Sequence, residues 1–287
     1  MEKILRVNKK VKPCRVLKKI FIYLALALLA VYFAFPYFYM VTRSLMSFYE
    51  VSDLTKIHWW PEGFRISNYS VVFEYFGNIL NSLQIVLING FFIPFSASLI
   101  AFPFARYKFP GKKIMFALLM STVMLPGSVI QVPHYILYAR LGLIDTVASQ
   151  WIGAFFGGSA MGIFLVIQFM RGIPKEIDNA AMIDGANKWT IYWRLVLPLC
   201  MNVLIYQMVG QFIANWNNYQ GALVYIVTPE KYPLATLFFF RYGNSGTESM
   251  FTHKKMAMAT VMTIPCLILF IFFQKQMING IKIGAIK

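Results

Sequence analysis

Pro174-Lys175-Glu176-Ile177-Asp178-Asn179-Ala180-Ala181-Met182-Ile183-Asp184-Gly185-Ala186 is a polar segment set between two long apolar stretches, and Leu195-Val196-Leu197-Pro198 follows nine residues after Gly185. Its residues predict a short helix. Pro174 suits a first helical position, where its missing donor costs little. Glu176 and Asp178 put negative charge at the positive end of the helix dipole. Gly185 can take the left-handed conformation that ends a helix. Ile173, Ile177 and Ala181 share a face at four-residue spacing, with Ala180 beside them. Small alanines let another surface approach the backbone closely, so the helix either docks a partner or packs only on its own protein.

The flanks decide the fold class. The chain is 59% hydrophobic, 17% aromatic and 13% charged, too apolar for a soluble domain. Six windows hold no Lys, Arg, Asp or Glu: 20–42, 75–105, 114–139, 146–170, 195–229 and 256–274. Each is at least 19 residues long, and a helix needs roughly 20 to cross a hydrocarbon core of about 30 Å. A spanning backbone must satisfy its own hydrogen bonds, which selects helices. The expectation is an all-α integral membrane protein with six transmembrane helices over 20–287, after an N-terminal segment 1–19. The fifth helix is expected over about 195–216, with a loop over about 217–255 carrying a short apolar insert, Leu234 to Phe240.

Charge sets the expected orientation. Alternate hydrophilic segments carry +15 on one side and +1 on the other, together the whole net charge of +16. The positive-inside rule makes both termini and segment 171–194 cytoplasmic, and the 217–255 loop external. Basic residues flanking spans serve topology and anionic lipid, so no nucleic-acid partner is expected. Cys14, Cys200 and Cys266 are isolated, with no disulfide framework and no metal-ligand spacing.

The quoted segment resembles the conserved loop of permease subunits in ATP-binding-cassette importers: Glu-Ala-Ala, three residues, Gly, nine residues, then Ile-x-Leu-Pro. Ala180, Ala181, Gly185, Leu197 and Pro198 fall on that pattern; Asn179 stands for the usual Glu and Leu195 for the Ile. Asn81-Ser82, the run from Ala105 to Lys112, Trp216-Asn217 and the terminal Gly284-Ala285-Ile286-Lys287 are similar to the carbohydrate-importing, maltose-type subfamily. The resemblance implies a type I importer permease fold in the cell membrane. It implies a second permease subunit, two cytoplasmic ATP-binding subunits, and an external or periplasmic substrate-binding protein. Residues 174–188 would couple to the ATPase, with Asn179, Ala180, Ala181, Asp184 and Gly185 at the contact. ATP and Mg would belong to the ATPase, since this chain has no Walker-type phosphate loop. It would be a transport subunit, not an enzyme.

Inside the fifth window, Gln207, Gln211 and Asn215 recur at spacing of four, on one helical face. Amides suit sugar hydroxyls and Trp216 could stack on a sugar ring, which makes these four the expected substrate pathway. Helix–helix hydrogen bonding is the alternative use of such amides. With no Lys, Arg, Asp or Glu in any window, an ion-coupled secondary transporter is disfavoured. Lys254 and Lys255 keep open an acidic glycan or sn-glycerol phosphate-type substrate. His58, His134 and His253 are isolated and read as interfacial residues.

Overall fold

The computed structural model describes residues 13–285 apart from 54, 244 and 249, with side chains from 17 to 276. Most of the expected segment 1–19, and the side chains of the terminal Gly284-to-Lys287 stretch, lie outside the described residues. No strand occurs among the described residues. The helices are α1 (Pro13–Ser44), α2 (Phe76–Arg106), α3 (Lys112–Ser121), α4 (Gly127–Arg140), α5 (Ala160–Gly172), α6 (Glu176–Ile183), α7 (Met201–Trp216), α8 (Gln220–Tyr225), α9 (Leu234–Tyr242) and α10 (Thr252–Ala285), joined by shorter helical turns.

Four stretches are long and apolar enough to span alone: Leu17–Ser44, Phe76–Arg106, Val147–Gly172 and Thr252–Gln276. Two further spans are bent pairs. Lys112–Met124 meets Gly127–Arg140 at 105°, and Lys188–Leu199 meets Met201–Trp216 at 69°. Counting each pair as one gives the six spans.

The chain divides into two compact units, one of residues up to Val71 with Phe251–Thr260, the other of Val72–Met250 with the remainder of α10. In the first, the apolar side chains of α1 from Leu17 to Phe35 stand exposed, as a lipid-facing span requires. Beyond α1, Ser47 and Glu50 form a capping box for Phe48–Ser52. Asn68 ties the chain back by donating to the Ser44 and Met46 carbonyls at 2.9 and 2.8 Å. Trp59 and Trp60, the expected interfacial anchors, pack on Phe35 and Phe38 with ring centroids 6.0 and 5.4 Å apart.

The second unit is built around α2, against which α5 and α7 pack. Small residues permit the close approach: Ala97 and Ala101 are fully buried, and a side chain on Gly90 would begin 3.7 Å from the Met208 carbonyl of α7. Val166, Ile167 and Met170 of α5 close the core with Tyr192 and Val196. The Tyr192 hydroxyl lies 2.7 Å from the Ser98 hydroxyl, so its one polar atom is satisfied.

Three sequence expectations change. The fifth helix does not run unbroken from about 195: Ile191–Val196 is π-helical, Leu197–Leu199 is a short turn, and α7 starts at Met201. Pro198 sits in the first turn of that short helix, where its missing N–H is tolerated, and the bend falls two residues later at Cys200. The third window breaks at Leu125-Pro126, at a proline. Pro174 precedes the N-cap Lys175 and so lies outside α6. The window 75–105 and the helix Phe76–Arg106 agree within a residue, and the insert 234–240 is helix α9.

Candidate functional site

Helix α6 is short, and its two ends are held differently. At its C-terminus Gly185 takes φ +83°. Its N–H donates to the Met182 carbonyl at 3.1 Å, and that of Ala186 donates to the Ala181 carbonyl at 2.9 Å. Those two bonds are the Schellman pattern, which satisfies carbonyls the helix leaves free. Near the other end, Arg106 of α2 places its Nε 3.2 Å from Asp178, with the Arg side chain 1% exposed. A second guanidinium nitrogen donates to the Ile173 carbonyl at 2.8 Å. Burial pushes the Asp178 carboxyl up, against the pull of Arg106 and Lys175. Lys188 sits 5.0 Å from the centre of the Tyr107 ring. The end of α2 therefore grips the segment on both sides of α6.

This fixes which face of α6 is free. Ala181 packs with Ile173 and Ala186 on the chain's own core. Asn179, Ala180, Asp184 and Gly185 are exposed. So are Met182 and Ile183, at 50% and 87%. The expected contact set therefore divides, with Ala181 turned inward and the others outward. Asp178, next to the Asn that replaces the pattern's Glu, points at Arg106.

The amide stripe of α7 is brought against its neighbours. Gln207 is buried and donates to the Gly162 carbonyl of α5 at 2.8 Å. Asn215 accepts from Asn89 of α2 at 2.8 Å and donates back to the Gln211 carbonyl at 2.8 Å. Asn89 also donates to the Gln150 carbonyl at 3.0 Å. Trp216 is 3% exposed, and its indole N–H donates to the Met262 carbonyl of α10 at 2.8 Å. Within this chain Gln207, Asn215 and Trp216 join helices, and Gln211 is partly exposed.

Residues 95–283 match the family model described as the binding-protein-dependent transport system inner membrane component. A putative ABC transporter permease protein, ORF2, of Caldicellulosiruptor sp. strain Rt8B.4 is 33% identical over 260 residues, 88% of this chain and 91% of that one. The chain belongs to this permease family. The arabinooligosaccharides transport system permease protein AraQ of Halalkalibacterium halodurans is 29% identical, covering 79% of this chain and 81% of the relative. In fold, a chain from a bacterial ABC transporter importing the acidic polysaccharide alginate matches with a TM-score of 0.81 at 20% identity, covering 92% of this chain and 98% of that one.

The permease is thus a multi-pass membrane transport subunit that works with a binding protein. Three groups position it through contacts that sequence reasoning did not assign. Arg106 was legible only as a basic helix end. Asn78 and Asn81, at the start of α2, donate to the Pro229, Glu230 and Tyr232 carbonyls at 2.8–2.9 Å, and Ser82 accepts from the Leu234 N–H. Asp145, at φ +57°, accepts from the backbone of Val227 and Thr228, the Thr228 hydroxyl and Lys231 at 2.6–3.0 Å. Lys231 and Thr228 hold its carboxyl well below the usual carboxylate range. The positive φ of a non-glycine residue is an Asp and Asn habit that no spacing announces.

Proposed function

We propose that the chain is the permease subunit of an ATP-driven oligosaccharide importer. Helix α6 docks on the cytoplasmic side into one of two ATP-binding subunits. ATP and Mg belong to that ATPase, which hydrolyses the nucleotide. A second permease completes the pathway, and an external binding protein delivers the sugar. The observation that carries docking is the exposed Met182-Ile183 end of α6, next to a Schellman turn and pinned to α2. Large apolar side chains standing in water beside a rigid helix end suit burial in a partner's cleft. The buried Arg106–Asp178 pair makes α6 move with α2, so closure of the ATPase is passed to a spanning helix. Asn179, Ala180, Asp184 and Gly185 form the rest of the contact, with Asn179 giving neutral hydrogen bonds where the pattern has a Glu. The excess of basic residues on the α6 side supports the cytoplasmic placement.

The oligosaccharide substrate is supported by the arabino-oligosaccharide relative, with an acidic glycan, as for the alginate importer, as second reading. The test is a cysteine at Ile183 in the assembled transporter. Ile183→Cys is expected to crosslink to the ATPase, and Ile183→Asp to lower uptake roughly tenfold or more with an unchanged melting temperature. Full uptake by Ile183→Asp would remove the docking assignment.

A further inference from the structure

Between α4 and the segment that follows α7 lies a groove of about 540 Å³, within the range of about 300–1,000 Å³ found for small-molecule sites. One wall is the α4 face carrying Ser128, Gln131 and His134; the other carries Asn218, Gln220 and Tyr225. We infer that this groove is a direct binding site for the hydroxyl groups of an uncharged oligosaccharide in transit. The inference rests on the transport reading above and adds where this subunit touches its cargo and what kind of cargo fits.

The first argument is chemical. No Lys, Arg, Asp or Glu lines the groove. Its amides, hydroxyls and imidazole can each donate and accept, which is what a sugar hydroxyl does. Five of the six side chains are exposed, Tyr225 being the partly covered one. Tyr135 adds exposed aromatic surface beside it, its ring nearly parallel to that of Tyr225 with centroids 6.3 Å apart, while the buried Tyr138 backs Tyr225 at 5.2 Å. An apolar sugar face needs such flat partners.

The second argument is location. The polar side chains of α4 sit in the bent third span, on an arm otherwise apolar and exposed. Presenting amides and an imidazole to lipid is costly. The break at Leu125-Pro126 also interrupts the helical ladder, and such backbone is tolerated at membrane depth only when covered by protein or lining a water-filled cavity. Ser128, Gln131 and His134 follow one another at helical spacing, so the polar side chains of the arm share one face, and that face is the groove wall.

The third argument is preorganisation. The Tyr225 hydroxyl lies 3.4 Å from His134 Nδ1, and the Tyr225 carbonyl accepts from the Asp145 N–H at 2.7 Å. Asn218 Oδ1 accepts from the Gly221 N–H at 3.0 Å. A side chain at Gly221 would come within 2.7 Å of Asn218 Nδ2, so the glycine keeps room for that donor.

The test is uptake by the whole transporter, reconstituted in liposomes with its ATPase and binding protein, using labelled arabinotriose and an alginate trisaccharide. With Gln131→Leu and Gln220→Leu combined, maximal arabinotriose uptake should fall roughly tenfold, the scale of a few lost neutral hydrogen bonds. The half-saturating concentration, set by the binding protein, and the melting temperature should hold. Val132→Leu, also on α4, should leave uptake unchanged. Wild-type uptake by the double variant would overturn the groove assignment alone. Transport of the alginate trisaccharide and not of arabinotriose would overturn the uncharged-ligand assignment. Transport of neither by the wild-type assembly would overturn the oligosaccharide reading itself, and the groove with it.

Discussion

The two ends of α2 are secured by opposite means. At its C-terminus one buried ion pair, Arg106–Asp178, and one bond to a carbonyl hold the α6 segment. About 46 Å away along a 31-residue helix, Asn78, Asn81 and Ser82 take the 229–234 segment by side-chain-to-backbone bonds. Asp145 latches the adjoining residues 227–231 with a fan of mostly part-buried ones. The buried grip is stiff, since a lone charge left behind is very costly. The latch is distributed: no single bond carries it, and its bonds range from the buried Ser82–Leu234 one to the exposed Asn81–Glu230 one. A helix gripped hard at one end and laced loosely at the other passes displacement on from the stiff end and lets the laced end adapt.

The comparison breaks most sharply at Arg106. Arg106→Ala leaves Asp178 buried without its partner and is expected to cost about 3–5 kcal/mol. It should be read as a lower melting temperature in detergent and near-complete loss of uptake. If the variant instead melts like the wild type, the grip is not what fixes α6. Next in size is Gly185. Its position is sterically open, so Gly185→Leu acts mainly through its left-handed backbone, at about 1–2 kcal/mol. Gly185→Asn should keep most of the stability, because Asn tolerates that conformation, and a thermal melt of both variants separates backbone from bulk.

The laced end should answer more mildly. Asp145→Gly keeps the backbone conformation and removes the side-chain acceptors. It should speed protease cleavage within 226–232 while leaving the melting temperature close to wild type; an unchanged digestion rate would show that the fan holds nothing in place. The smallest effect is in pH. The Asp145 carboxyl is held low, so its contribution is present above the ordinary value of about 4 and is lost only as pH falls through the lowered one. Digestion of 226–232 should therefore be constant from pH 7 to 5. The Asp178 carboxyl is raised, so its contribution has the opposite sign, present below the ordinary value and lost as pH rises through the raised one. The melting temperature should climb slightly on acidification, and Asp178→Asn should flatten that slope.

What the sequence made legible follows from local chemistry. Charge-free windows located the spans, and that of α2 fell within a residue: Pro94 and Pro103 lie inside this packed helix without breaking it. The Gly185 turn was legible because left-handed backbone has a residue preference. The bends at Pro126 and Cys200 were not placed: a proline in an apolar window permits a straight, kinked or broken helix, and neighbours choose among them. Arg106 and Asp178 are 72 residues apart in number, and each alone reads as a charge at a helix end; only packing reveals that they meet. The amide stripe was correctly seen on one face of α7, yet spacing does not say what the face meets, and Gln207 and Asn215 meet α5 and α2. The Gln131 and His134 wall of the groove lay hidden because its other half comes from residues nearly 90 positions later.

The break at Leu125-Pro126 also bears on how the chain is made. The α3 and α4 arms have 10 and 14 residues, about 15 and 21 Å of helix, each short of a core of about 30 Å. Neither arm can hold the bilayer by itself. The insertion machinery must accept 112–140 as one segment, and the sharp fold in it can be completed only where water or another subunit receives the interrupted backbone. In the transporter proposed above, a copy made without its partner subunits would leave the break at Leu125-Pro126 uncovered and the third span unfinished.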